Sequence, residues 1–276
     1  MRLRINATLD YCIPDEADIL LTVEAARTAE QIVLADRLDV VGSGPLRPIA
    51  GEDHFGRRVW TRAHGPFNVH YAAEVDLLRA SVDLADMRAC RPAELPAHVI
   101  PYLWPSRYCE ADRFEAFVAR EFAAVAGGRK ILAMAEWIYR NVDYRLGTSD
   151  GATTAVDAFV KRQGVCRDFA HLLASFARAA DIPARLVSAY AYDLEPSDFH
   201  AVVEVWLGGE WHLVDPTRLA PLDGLVKIAV GRDATDIAFM TIFGTAQLQS
   251  QSIEVEQVPP SPTSSLASAA HLVAAS

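Results

Sequence analysis

Gly208-Gly209 lies between two apolar runs, Ala201 to Leu207 and Trp211 to Val214, and fixes the geometry of its neighbourhood more tightly than any other feature of the chain. Two consecutive glycines supply the positive φ at both central positions that a primed two-residue hairpin turn requires. Leu207 then faces Glu210, Val202 faces Asp215, and His200 faces Thr217. His200 and Asp215 become diagonal neighbours on one face, about 7–8 Å apart and within reach of an imidazole–carboxylate hydrogen bond. His212 falls on the opposite face. Glu204 shares the face of His200 but stands four residues along the strand, about 13 Å away. Asp215 is therefore the expected partner.

Upstream of this hairpin, Cys166, Phe169, Leu173, Phe176 and Ala180 mark the apolar stripe of a helix that starts after Gln163-Gly164 and stops before Pro183. Cys166 sits in its first turn, where unpaired backbone N–H groups and the helix dipole favour thiolate over thiol. An isolated cysteine at a helix start is more often a small core residue, and a lone strand histidine more often a satisfied one. The combination changes the reading. A thiol on a helix start, followed by histidine and carboxylate on one face of a hairpin, is the arrangement of an activated Cys–His nucleophile.

The rest of the chain reads as two units. Apolar residues alternate at Leu3, Ile5, Leu9, Tyr11 and Ile13, at Ile19, Leu21 and Val23, and at Phe67, Val69, Tyr71, Ala73 and Val75. Period two predicts half-buried strands, with turns at Gly42-Ser43-Gly44-Pro45 and Ala63-His64-Gly65-Pro66. Residues 1–90 are thus expected to form an antiparallel β domain. Pro92, Pro96, Pro101 and Pro105 break the chain four times, which predicts a linker over 91–110. Helical periodicity follows at 112–125, 129–142 and 154–162, the last with Thr154 as N-cap and Asp157 three residues on. Strands are expected at 185–192, 201–207, 211–214 and 226–230. Helices first and antiparallel strands afterwards give an α+β fold, with the second domain over 111–250 and a Ser/Ala/Pro-rich terminal tail over 251–276.

Composition narrows the function classes. The 276 residues carry 26 Lys plus Arg against 36 Asp plus Glu, a net charge of −10, and the basic residues form no run. That argues against nucleic acid and against a membrane surface as partners. The N-terminus lacks the apolar stretch of a signal peptide and no window approaches a membrane span, so a cytoplasmic protein is expected. Cys12, Cys90, Cys109 and Cys166 are far apart and have no histidine at metal-ligand spacing, so neither zinc nor, in a reducing compartment, disulfides are expected.

Three blocks complete the reading: Gly164-Val165-Cys166-Arg167-Asp168-Phe169-Ala170-His171, Asp198-Phe199-His200-Ala201, and Trp211 through Asp215-Pro216-Thr217. In composition and order they resemble the bacterial transglutaminase-like superfamily, over residues from about 102 to 243. The resemblance implies a papain-like core with Cys166 on a helix and His200 and Asp215 on a sheet. Many relatives carry Trp after the His-Ala pair where this chain has Val202, a departure that touches a substrate-lining contact and no triad member. Asp168 and His171 match the motif but are rotated about 200° and 140° from Cys166 around the helix, which predicts a structural role for both.

The expected chemistry is acyl transfer through a thioester on a peptide or carboxamide bond of a protein or peptide substrate, with Cys166, His200 and Asp215 as the triad and no cofactor. The Cys166 N–H is the expected oxyanion donor, with Gln163 a weak candidate for the second. No Asp-rich calcium loop is evident, which favours hydrolysis over amine transfer. A non-catalytic scaffold that retains the core is the alternative.

Overall fold

A computed structural model describes residues 1–80 and 82–259. The fold is α+β, built from two antiparallel sheets with helices packed against the second of them. The first sheet has six strands, Arg2–Leu21, Gln31–Ser43, Arg47–Ala50, Arg57–Leu77, Met240–Phe243 and Gln247–Gln257. Its two long central strands pair over their whole length, from Arg2 opposite Asp76 to Leu21 opposite Val59. The alternation read from the sequence places Leu3, Ile5, Ala7, Leu9, Val69, Tyr71, Ala73 and Val75 on one buried face.

Three sequence expectations need correction here. Ala63 to Pro66 is not a turn: it lies inside the strand Arg57–Leu77, with Gly65 opposite Ile13 and Pro66 opposite Cys12. Both neighbouring strands shift register there, between Ile13 and Ala17 and between Val41 and Ser43, and a bulged ladder tolerates a proline that a regular one would not. Gly42, at φ 80°, approaches so closely that a Cβ would lie 1.9 Å from the Pro66 carbonyl oxygen. Next, residues 240–257 do not end the second unit and open a tail. They form two strands of the first sheet, with Gln257 paired to Leu3 and Gln247 to Cys12; the tail expected beyond them lies, from residue 260 on, outside the described residues.

Third, the proline-rich stretch is folded onto the second sheet rather than strung between the units. It turns through short 3-10 helices at Pro92–Glu94 and Ile100–Leu103, buries Leu95 and Val99 against Trp206, and is preceded by a bridge from Ala89 to Leu207.

The second sheet has the strands Ala184–Ala191, Phe199–Leu207, Glu210–Val214 and Leu225–Gly231, in the spatial order fourth, first, second, third. Helices Glu115–Glu121, Gly127–Asn141, Ala155–Lys161 and Cys166–Arg178 precede it in sequence, with Cys166–Arg178 packed on its strands Ala184–Ala191 and Phe199–Leu207, and a short turn of helix at Ala234–Ile237 follows. Thr154 and Asp157 form the expected capping box. One apolar core runs through both units, from Leu3 and Tyr71 to Phe176 and Val203. Tyr71 and Tyr190 stack across the junction at 6.0 Å, and Tyr190 donates to the Val23 carbonyl at 2.6 Å.

Helix Cys166–Arg178 is the axis of that core, and every residue from Asp168 to Arg178 is buried, not a stripe alone. Its polar side chains survive burial because each is bonded. Ser175 donates to the His171 carbonyl at 2.7 Å, and Arg178 donates to the carbonyls of Ala184 and Trp104. Phe114, Phe117, Trp137 and Phe159 crowd around Phe176 with ring centroids 5.2–6.2 Å away. The far end of this helix is thereby locked into the core.

Candidate active site

The hairpin folds in the register its glycines dictate. Gly208 and Gly209 take φ of 62° and 93°, Leu207 pairs with Glu210, and the ladder closes at Val203 opposite Val214. Asp215 follows directly and leans back to His200. The His200 Nε2 lies 2.8 Å from Asp215 Oδ2, and both side chains are buried. His212 is elsewhere, against the Leu207 carbonyl at 3.1 Å. Glu204 is taken up by two cations, Arg185 at 2.7 Å and Lys227 at 2.9 Å, and so is not a rival for the imidazole.

Asp215 is itself anchored. Its Oδ1 accepts the Thr217 backbone N–H at 2.9 Å and the Thr217 hydroxyl at 2.7 Å, leaving Oδ2 for His200. Burial alone would raise its carboxyl pKa, but the bond to His200 and the Thr217 donors outweigh it and hold the group below its ordinary value. On the imidazole, burial pushes toward the neutral form. Asp215 and the Cys166 sulfur push the other way and prevail, raising His200 to about 10. With Nε2 committed to Asp215, the ring's Nδ1 is buried and bonded to no other protein atom. It is the nitrogen left to meet Cys166, whose sulfur helps to raise the ring's pKa.

Cys166 is the first residue of its helix, after Val165 in extended conformation, so its N–H has no intrahelical acceptor. Asp168 fixes this turn: Oδ2 accepts the Val165 N–H at 2.8 Å and Oδ1 accepts the Ser149 hydroxyl at 2.9 Å. Gly164 makes room for it, since a Cβ there would lie 2.7 Å from the Asp168 Cβ. His171 stacks on Tyr108 at 5.3 Å and accepts the Ala234 N–H at 3.1 Å. Deep burial drives its pKa down to about 3, which keeps the acceptor nitrogen unprotonated. Both residues are thus structural, turned away from the thiol.

A polar side chain on a short strand beside the start of the cysteine's helix went unread in the sequence. Asp143–Tyr144 is a two-residue strand pairing in parallel with Gln163–Gly164, and Tyr144 stands opposite Gly164, two residues before the cysteine. Arg145 N–H to the Gly164 carbonyl, 2.9 Å, extends the pairing, and the Tyr144 ring leans on Phe169 with centroids 5.8 Å apart. The phenol's pKa is raised, first by burial and then by the Cys166 sulfur, while the Cys166 N–H opposes the rise as a hydrogen-bond donor. Two residues give periodicity nothing to work on, so only the pairing reveals it. Gln163 occupies the facing strand, opposite Asp143.

The loop that enters the histidine strand is tied to the first sheet. Ser197 donates to the Ile253 carbonyl, and Asp198 accepts from its neighbour Phe199 N–H and from the Gln251 side chain. Burial raises the Asp198 pKa against those two donors.

Residues 116–216, which include Cys166, His200 and Asp215, match the core of the transglutaminase-like superfamily. A solved structure from Cytophaga hutchinsonii, described as "a Putative Cysteine Protease", is 36% identical over 95% of this chain and 92% of that one, with a TM-score of 0.87. An uncharacterized protein of Mycobacterium leprae is 33% identical over 146 residues, 49% of this chain and 52% of that protein. Another, from Mycobacterium tuberculosis, is 30% identical over 174 residues, 56% of this chain and 55% of that protein. The chain spans about half the length of these two curated relatives. No helix among the described residues is long and apolar enough to cross a membrane. Likeness at that identity over nearly all of both chains, together with the matched core, places the family beyond the motifs that first suggested it: the chain belongs to the transglutaminase-like superfamily.

Proposed function

We propose that Cys166, His200 and Asp215 form the catalytic triad of a cysteine hydrolase that cleaves a peptide or carboxamide bond through a thioester. The observation that carries this reading is the division of labour on one imidazole, with Nε2 held by Asp215 at 2.8 Å and Nδ1 left without another partner beside the thiol. Nε2–H donates to the carboxylate and Nδ1 takes up the thiol proton, so that the ring carries both protons when the sulfur attacks, a state the raised His200 pKa favours. The Cys166 sulfur attacks the carbonyl carbon, the carbonyl oxygen takes the negative charge beside the Cys166 N–H, and His200 returns the proton to the leaving amine. Water, deprotonated by the same nitrogen, releases the acid and restores the thiol.

The hydrolytic outcome draws support from the description of the Cytophaga structure as "a Putative Cysteine Protease". Transfer to an amine uses the same thioester. Iodoacetamide and p-nitrophenyl acetate test the triad without knowledge of the natural substrate. The wild type should be alkylated selectively at Cys166 and release a stoichiometric burst of nitrophenol. Cys166→Ala should fold and lose both. Labelling shared evenly with Cys12 and Cys90, and no burst, would leave the scaffold reading in its place.

A further inference from the structure

A cleft of about 790 Å³ opens at the carboxylate end of the triad, lined by Asp215, by the turn that follows it and by one face of helix Gly127–Asn141. It is large enough for a short stretch of peptide. Its place in the reaction follows from the path of the proton. His200 gives that proton to the leaving amine from Nδ1, while Asp215 holds the other nitrogen, Nε2. A chain that continues from the leaving nitrogen, past the imidazole and away from Cys166, meets the cleft at Asp215.

The lining states what such a chain should carry. Of its charged side chains, Asp215 is bound to His200 and Glu136 to Arg218. Arg218 also lies over the Tyr139 ring, 4.3 Å from its centroid, which holds this cation against the helix. Arg140, the second partner of Glu136, stands outside the lining. Asp83 and Asp193 remain, and neither has an ion-pair partner among the described residues. Asp193 and Arg218 both sit in left-handed backbone, φ 62° and 59°, a conformation that costs a non-glycine residue and persists where the fold enforces it. Much of the remaining lining is apolar, with Leu132, Leu219 and Leu222 in it. An apolar surface with unpaired carboxylates suits a long aliphatic stem that ends in a cation. An acidic segment would meet like charge there, and an apolar one would desolvate two carboxylates without pairing them.

We propose that this cleft is the leaving-group subsite and selects substrates that carry arginine or lysine shortly after the scissile bond, with Asp83 and Asp193 as the specificity-determining carboxylates. This rests on the acyl-transfer reading, and its test keeps the two apart. An amine seated where the leaving amine departs can run that step backwards on the acetyl-enzyme formed from p-nitrophenyl acetate. Its nitrogen bonds to the acetyl carbon, the sulfur–carbon bond breaks, and the amine's proton passes through His200 to the sulfur. The probes are Gly-Leu-Arg-Leu-Arg amide and Gly-Leu-Glu-Leu-Glu amide, with acetylated peptide measured by mass spectrometry; arginine is used because its guanidinium does not itself attack. The arginine peptide should be acetylated about tenfold faster than the glutamate peptide, and the double variant Asp83→Asn, Asp193→Asn should cut that ratio to about twofold. Asparagine keeps the Oδ1 with which Asp83 accepts the Ala85 N–H. The nitrophenol burst of the double variant should stay within about twofold of the wild type, since acetate is too small to reach the cleft, and this shows that the variant has folded. Equal acetylation of the two peptides, a preference that the double variant retains, or discharge of the acetyl-enzyme by water alone would overturn the proposal and leave the triad standing. A wild type without a Cys166-dependent burst would remove the acyl-transfer reading and this proposal with it.

Discussion

Asp215→Asn should be far more damaging than the loss of one charge suggests, because Thr217 dictates how the amide must sit. Oδ1 of Asp215 is held by two donors, and one of them is a backbone N–H that cannot turn away. In the variant the amide oxygen has to take that place, which points the NH₂ group at His200. Nε2, buried at the former Oδ2 contact, then faces a donor and can only accept. The ring's one proton moves to Nδ1, the nitrogen that must receive the thiol proton, and the base is occupied. The lost charge-assisted hydrogen bond is worth about 1.5–3 kcal/mol, and enforcing the wrong tautomer adds to it. A fall of about 10³–10⁴ in the rate of the nitrophenol burst follows, or about 4–5.5 kcal/mol at 1.36 kcal/mol per decade. Single-turnover acylation measures it. Alkylation should decline less, since it forms no tetrahedral intermediate and needs no proton returned to a leaving group. An Asp215→Asn protein that acylates within tenfold of the wild type would refute the tautomer argument.

Two further outcomes concern stability. Glu204 is buried between Arg185 and Lys227, so Glu204→Gln strands two cations. Because Lys227 keeps Glu30 and Arg185 keeps Asp53, the cost should sit near the low end of the range for broken buried pairs, about 3 kcal/mol, seen as a drop in Tm of about 6–12 °C. A loss below about 1 kcal/mol by denaturant titration would show that the cluster is wet. The His200–Asp215 pair should leave a pH signature with two edges. With the His200 pKa raised to about 10, its contribution is full below the unfolded value near ~6.5 and fades as pH rises to about 10; with the Asp215 pKa lowered, its contribution holds above ~3.9 and is lost as pH falls through the depressed value. Comparing wild type with His200→Ala by denaturation from pH 5 to 10 should show the difference shrinking above neutrality. A pH-independent difference would mean the pair is not ionised.

The parts of this site that local rules control were readable from the sequence. Gly208-Gly209 determines a turn, the turn determines parity, and parity places His200 beside Asp215 with His212 away. The helix start at Cys166 follows from a stripe of side chains and a stopping proline. What escaped were segments whose order comes from hydrogen bonding to a distant strand instead of from burial of a face. Gln247–Gln257 is exposed on most of its length, with Ile253 its single fully buried side chain, so no apolar period announces it. Gln31–Ser43 leaves Ile32, Leu34 and Val41 in solvent, which scrambles the alternation expected of a half-buried strand. Tyr144 escaped for a related reason, as its place is set by two residues of pairing. The Gly65-Pro66 pair misled because turn chemistry and bulge chemistry use the same residues.

The attachment of the 197–198 loop to Gln251 and Ile253 has a consequence for how the protein becomes active during synthesis. Cys166 and its helix, and even the His200 hairpin, are made while the strand 247–257 is still to come. That strand pairs with residues 3–12, across almost the full sequence separation available among the described residues, and contacts so distant in sequence close late. A nascent chain can therefore hold its nucleophile and base near each other while the loop leading to the base is still untethered. Competence should appear abruptly, when the last strand zips onto the first, and ribosome-bound chains halted before residue 247 should hold a cysteine that is slow to react.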